Sequence, residues 1–274
     1  MATRKKSMYL EIEPHTEIYL EEAGSGAPLL LLPGITYSCE IFAAQLEYFS
    51  KSHRVIAMDP RSHGRSTKTA FGNNYLTHGR DVEAVIRALG LKDVVLLGWS
   101  AGCIDIWTYV RQFGTSNLKG AALIDMPPKP ISDNPADWVE GSATDLAAAL
   151  TEVLTSQKSQ REFFGSYAAD LMVQRELGDE EKFFLVDLSA RTPCNITAAL
   201  YGDLIMQDCR PDFTRLSEAV PSKTYVAEHW SGVAVPYLKK RFPKTQVEVF
   251  GGHLLFWEYP ERFNASLEQF LAAL

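Results

Sequence analysis

The residues best placed to do chemistry are a serine and its neighbours, Gly98-Trp99-Ser100-Ala101-Gly102. A G-x-S-x-G pentapeptide arises by chance in roughly one chain in ten of this length, so its setting must carry the inference. Val94-Val95-Leu96-Leu97 directly before it reads as a buried strand, and Ala101 to Phe113 directly after it reads as a helix. Strand, sharp turn and helix are what a nucleophilic serine needs. The strained turn holds Oγ out at its apex, and glycines on both sides let strand and helix approach. Ser100 would stand at a helix N-terminus, with the Ala101 N–H aimed at the oxyanion formed when the hydroxyl attacks a carbonyl. Trp99 would form part of the wall of a substrate pocket.

The elements around this turn follow from hydrophobic pattern. Leu29–Leu32, Arg54–Met58, Val94–Leu97, Ala121–Ile124, Thr224–Ala227 and Val247–Phe250 are short bursts of aliphatic residues bounded by Gly, Pro or Asp. They alternate with helical patterns, the signature of a parallel sheet covered on both faces, and so of an α/β fold. Tyr9–Ile12 and Glu17–Glu21 alternate apolar with polar residues and fit an antiparallel hairpin at the sheet edge. Val82, Val85, Ile86 and Leu89 repeat at helical spacing, with Gly90 where a left-handed cap would fall. A last helix should begin at Pro260 and bury Phe263, Leu267, Phe270 and Leu271.

One stretch breaks the rhythm. Residues 129–192 hold no strand-like burst but several aromatics, among them Trp138, Phe163, Phe164 and Tyr167. Two to four amphipathic helices are expected there, either as a lid inserted into a core made of residues 1–128 and 193–274 or as a layer packed elsewhere on that core. A helical insertion at this point would cover the carboxyl ends of the strands, where open α/β sheets bind ligands.

Four motifs, in order, resemble the α/β-hydrolase superfamily, and the likeness covers nearly the whole chain. Leu29-Leu-Leu-Leu-Pro-Gly34 resembles the strand ending in His-Gly that supplies an oxyanion amide. Asp59-Pro-Arg-Ser-His-Gly-Arg-Ser66 resembles the D-x-R-G-x-G-x-S turn. Gly98 to Gly102 resembles the nucleophile elbow, and Gly251-Gly-His253 before the last helix resembles the setting of the catalytic histidine. The resemblance implies that His253 is the general base and that the Ile35 N–H is the second oxyanion donor, with Pro33 in place of the family's histidine. It also implies that His63, within the turn motif, is structural. Most members place the acid of the triad after the strand that follows the lid; here that region is Ala227-Glu-His-Trp-Ser-Gly232, and Trp230 takes the acid's place. A variation places it one strand earlier, where Asp125 follows Ala121-Ala-Leu-Ile. Asp125 is therefore the expected acid and Glu228 the alternative, while an Asp at that position could also serve only as a turn or helix cap.

A serine triad of Ser100, Asp125 and His253 implies acyl transfer on a carboxylic ester or lactone, without metal or organic cofactor. An aromatic lid and Trp99 favour a small to medium apolar substrate. Two other functions on the same fold remain open at this stage. One is a cofactor-independent dioxygenase of the quinaldine type, whose members carry His where this chain has Pro33. The other is a non-catalytic small-molecule receptor. Bulk properties exclude more distant classes. A net charge of −7 with no basic stripe argues against a nucleic-acid partner. No apolar run approaches the length of a membrane span. Cys39, Cys103, Cys194 and Cys209 have neither zinc-site nor disulfide-scaffold spacing, which suits a reducing, cytoplasmic compartment. The basic tip at Arg4, Lys5 and Lys6 lacks the apolar run of a signal peptide and is expected to be a frayed tail. Oligomeric state is not legible.

Overall fold

A computed structural model describes residues 5–274. Eight strands form one sheet: β1 (Lys6–Glu13), β2 (Thr16–Gly24), β3 (Pro28–Leu32), β4 (Arg54–Met58), β5 (Val94–Trp99), β6 (Leu118–Ile124), β7 (Ser222–Val226) and β8 (Gln246–Val249). Their spatial order is β1-β2-β4-β3-β5-β6-β7-β8. The β1–β2 and β2–β4 pairs are antiparallel, and all the others are parallel. Each expected strand is present, with ends shifted by up to three residues. The expected frayed tip is corrected in part: Lys5 pairs with Glu21 at 3.0 Å and Lys6 opens β1, while Arg4 lies outside the described residues.

Both faces of the sheet are buried, which is why its central strands are continuous apolar runs rather than alternating ones. On one face Leu30, Leu32 and Leu96 pack with Val82, Val85 and Trp107 of α2 (Tyr75–Ala88) and α3 (Ala101–Phe113). On the other, Leu29, Leu31 and Leu97 pack with residues of α1 (Ala43–Phe49) and of α11 (Pro260–Ala272). Every one of those six leucines is fully buried, each contributing about 2 kcal/mol of hydrophobic stabilisation. The last helix starts at Pro260 and buries Phe263, Leu267, Phe270 and Leu271 as its spacing requires. Gly90, just beyond α2, takes the left-handed φ of 62°.

Between β6 and β7 the chain passes through α4 (Ala143–Ala148), α5 (Gln157–Tyr167), α6 (Asp179–Ala190), α7 (Cys194–Ile205) and α8 (Arg210–Ala219). The first two are started by side-chain caps, Ser142 and Ser156, and run on into π-helical turns at Ala149–Val153 and Ala168–Met172. The span 129–192 thus holds α4, α5 and α6. Helix α8 belongs with the core layer, its Phe213 ring 5.4 Å from Trp107 of α3. Helix α9 (Ser231–Arg241) lies between β7 and β8, and the short α10 (Leu255–Glu258) precedes α11. No helix among the described residues is long and apolar enough to cross a membrane.

Strand order explains why distant residues meet. The chain leaves β3 for β4 on one side and returns to β5 on the other, so β3 and β5 flank the topological switch point. Leu32 lies opposite Gly98, Trp99 opposite Ile124, and Ile124 opposite Tyr225. The loops after β3, β5, β6 and β7 therefore emerge at one level.

Candidate active site

Ser100 sits between β5 and α3 with φ 53° and ψ −125°, a conformation strained for a residue with a side chain. Hydrogen bonds hold the turn on both sides: Ser100 N–H donates to Ile124 O and Cys103 N–H to Ser100 O, each at 2.8 Å. Its glycines are required by contact. A Cβ on Gly98 would lie 2.5 Å from Gly102 O, and one on Gly102 would lie 2.2 Å from Leu32 O.

The next strand brings Asp125 alongside, also at positive φ, 50°. It is buried, and its two oxygens are used separately. Oδ1 accepts the Ala227 N–H at 2.8 Å, and Oδ2 is 2.7 Å from His253 Nδ1. Asp125 is thus tied to the end of the neighbouring β7 while reaching past it to the histidine. The acid bonded to His253 is Asp125 and not Glu228, which is exposed and accepts from Gln174 Nε2 at 2.7 Å.

His253 is fixed from three directions. Trp99 Nε1 donates to its carbonyl at 2.8 Å. Its N–H donates to Leu171 O at 3.3 Å, and the Leu254 N–H to Met172 O at 2.7 Å, so the histidine loop is stitched to the turn after α5. The Glu258 carboxylate reinforces that seam, accepting the Gln174 and Arg175 N–H groups at 2.8 and 3.1 Å. Trp99 consequently has two positions in the site: it lines the cavity and braces the histidine loop.

After β3 the chain turns sharply. Gly34 O accepts the Tyr37 N–H at 3.1 Å, which fixes the Gly34–Ile35 peptide plane and turns the Ile35 N–H away from that bond. Thr36, at φ 70°, donates its hydroxyl to Ile35 O at 2.6 Å and contacts Ser189 Oγ of α6 at 2.9 Å. Ala101, the first residue of α3, is buried beneath Ser100. Neither the Ile35 nor the Ala101 N–H meets an acceptor among the described residues.

These parts converge on a cavity of about 290 Å³. Its floor includes Ile35, Trp99, Ser100, Met126 and His253, from the strand ends, and its roof Phe163, Tyr167, Leu171, Tyr201 and Leu204, from the helices between β6 and β7. No hydrogen bond joins the Ser100 hydroxyl to His253 in this arrangement. His63 lies elsewhere, buried, with Nδ1 2.8 Å from Arg61 O, and burial beside His78 lowers its pKa to about 3. Among the described residues no group of three or more His, Cys, Asp or Glu is placed to hold a metal ion.

Residues 27–176 match the family model described as the alpha/beta hydrolase fold. An AB hydrolase superfamily protein of Bacillus subtilis is 34% identical over 281 residues, covering 96% of this chain and 98% of that protein. The chain belongs to the alpha/beta hydrolase fold family. A non-heme haloperoxidase of Rhodococcus erythropolis is 32% identical over 146 residues, 53% of either chain, so this chain spans about half of that relative's length. An esterase from Exiguobacterium antarcticum superposes with a TM-score of 0.86 at 22% identity, over 97% of this chain and 100% of that one. The last is a likeness of fold.

One further group of this chain stands in the cavity without a sequence signal to announce it. Glu140, between β6 and α4, lines the cavity near His253 and Asp125. Burial, with the nearby Asp125 charge adding to it against His253, pushes its carboxyl up to about 7. By area the residue is half-buried. Glu140 falls in a loop with no periodicity, and nothing in Trp138-Val-Glu-Gly141 marks which way its side chain turns.

Proposed function

We propose that this alpha/beta hydrolase is a serine hydrolase that cleaves a carboxylic ester or lactone of a small to medium, largely apolar acyl substrate through an acyl-enzyme. The single observation that carries this reading is the 2.7 Å contact of Asp125 with His253, at the wall of the cavity into which Ser100 projects.

In this reading the Asp125 carboxylate holds the proton of His253 on Nδ1, leaving Nε2 free as a base. Substrate binding draws Ser100 and His253 together, a contact that commonly tightens only in the occupied site. Ser100 Oγ attacks the carbonyl carbon as its proton passes to Nε2, and the carbonyl electron pair moves onto oxygen, facing the Ile35 and Ala101 amides. The oxyanion collapses, the C–O bond to the alcohol breaks, and the imidazolium protonates the leaving oxygen. Water, deprotonated by His253, then attacks the acyl-serine; the second oxyanion collapses, the bond from the acyl carbon to Ser100 Oγ breaks, and the imidazolium returns the proton to Oγ as the acid leaves. The helices over the cavity act as a lid that keeps bulk water from the acyl-enzyme. The cavity is at the small end for ligand sites, and its mostly apolar wall suits a compact acyl group.

The test is hydrolysis of p-nitrophenyl acetate and butyrate by the wild type and by Ser100→Ala, both checked for folding. Loss of at least about a thousandfold in kcat is expected. Turnover indifferent to Ser100, or oxygen uptake in place of acid release, would overturn the reading.

A further inference from the structure

We propose that Glu140 and the aromatic rings near it form an ammonium-recognition subsite, so that the preferred ester or lactone carries a positively charged nitrogen; this deepens the ester-hydrolase reading and rests on it. Three observations converge. The Glu140 carboxyl lines the cavity with neither a hydrogen bond nor an ion pair to another side chain, and only its N–H is engaged, with Pro130 O at 2.9 Å. The other acid of the same wall, Asp145, is already used by its cap, accepting from Ser142 Oγ at 2.6 Å. No lysine or arginine lines the cavity among the described residues, so its fixed charges are negative. A half-buried carboxylate on an apolar cavity wall is poorly placed without a partner, and in a ligand site the missing partner is most simply the ligand.

The rings give the cation a second reason to bind there. Phe163 and Tyr167 stack with centroids 6.0 Å apart, and Tyr167 lies 5.8 Å from the His253 ring. Tyr201 completes the wall near Glu140. Aromatic faces beside a carboxylate attract an ammonium group through the ring quadrupole as well as through charge. A wall of this kind repels a carboxylate-bearing substrate and gains little from a neutral one.

The experiment compares kcat/KM for esters that differ only in N⁺ against C. One pair is butyrylcholine and 3,3-dimethylbutyl butyrate, with the charge on the alcohol side. The other is methyl 4-(trimethylammonio)butyrate and methyl 5,5-dimethylhexanoate, with the charge on the acyl side. At pH 8 the charged ester of at least one pair is expected to be preferred by at least about tenfold. The preference should collapse in Glu140→Gln and return in part in Glu140→Asp. It should also weaken as pH falls through about 7, where Glu140 takes up its proton. His253 and Asp125 also face this cavity and serve the acyl transfer of both esters of a pair. Burial keeps Tyr37, Tyr167 and Tyr201 protonated, and the Ser142 hydrogen bonds keep Asp145 ionised over this range. Equal or reversed preference in both pairs, or a preference that survives Glu140→Gln, would overturn the subsite alone. Failure of the wild type to hydrolyse any of the four esters would instead overturn the ester-hydrolase reading, and the subsite with it.

Discussion

The two oxygens of Asp125 serve two masters, the Ala227 amide and the His253 ring, and that division makes its variant informative. In Asp125→Asn the amide oxygen can still accept from Ala227, while the amide nitrogen donates to His253 Nδ1 and forces the wrong tautomer. We expect kcat to fall by about 10⁴-fold with the fold retained, measured by ester hydrolysis beside a thermal melt. Glu228→Gln, which touches only Gln174, should leave kcat within about twofold. A comparable loss in Glu228→Gln alone would make Glu228 the acid instead. At this scale the sequence was legible where a residue is tied to a strand end or a strained turn, as Ser100 and Asp125 are, because backbone topology then dictates where the side chain emerges. Glu140 escaped because its position depends on how a loop without periodicity folds over a cavity.

Elements were legible for a similar reason. Strands buried on both faces must be continuously apolar, so β3, β4 and β5 announced themselves. At β7 the pattern blurs, since Lys223 is buried there with its ammonium 2.7 Å from Ser266 Oγ and 2.9 Å from Glu248. The contact of α3 with β3 is close enough to be tested. Gly102→Ala places a methyl 2.2 Å from Leu32 O, a backbone atom that cannot step aside without moving the strand. Destabilisation on the order of 3 kcal/mol is expected by denaturant unfolding, and a neutral effect would show that the elbow has slack. The seam between the histidine loop and the turn after α5 is a second test. Glu258→Gln weakens charged bonds to the Gln174 and Arg175 amides. Amide exchange at those two positions should quicken several-fold, corresponding to about 1 kcal/mol of lost protection.

For the whole molecule, the cavity carboxyl makes stability depend on pH. Folded Glu140 keeps its proton up to about 7, whereas its ordinary value is 4.5. Between those limits the folded state holds a proton that the unfolded chain releases, so this stabilisation is complete below the lower limit and lost as pH rises through the upper one. Glu140→Gln should therefore be more stable than the wild type at pH 8, by on the order of 3 kcal/mol, and equal to it near pH 4.5. Melting curves at the two pH values check this, and equal melting at both would mean that the carboxyl is well solvated. The seam at Leu171 and Met172 has a consequence of another kind. Because Leu171 and Met172 of the roof accept the His253 and Leu254 N–H groups, any displacement of the roof would pull on the His253 backbone. In the proposed serine hydrolase that coupling would work as an interlock: a door standing ajar would leave Ser100 without its proton acceptor.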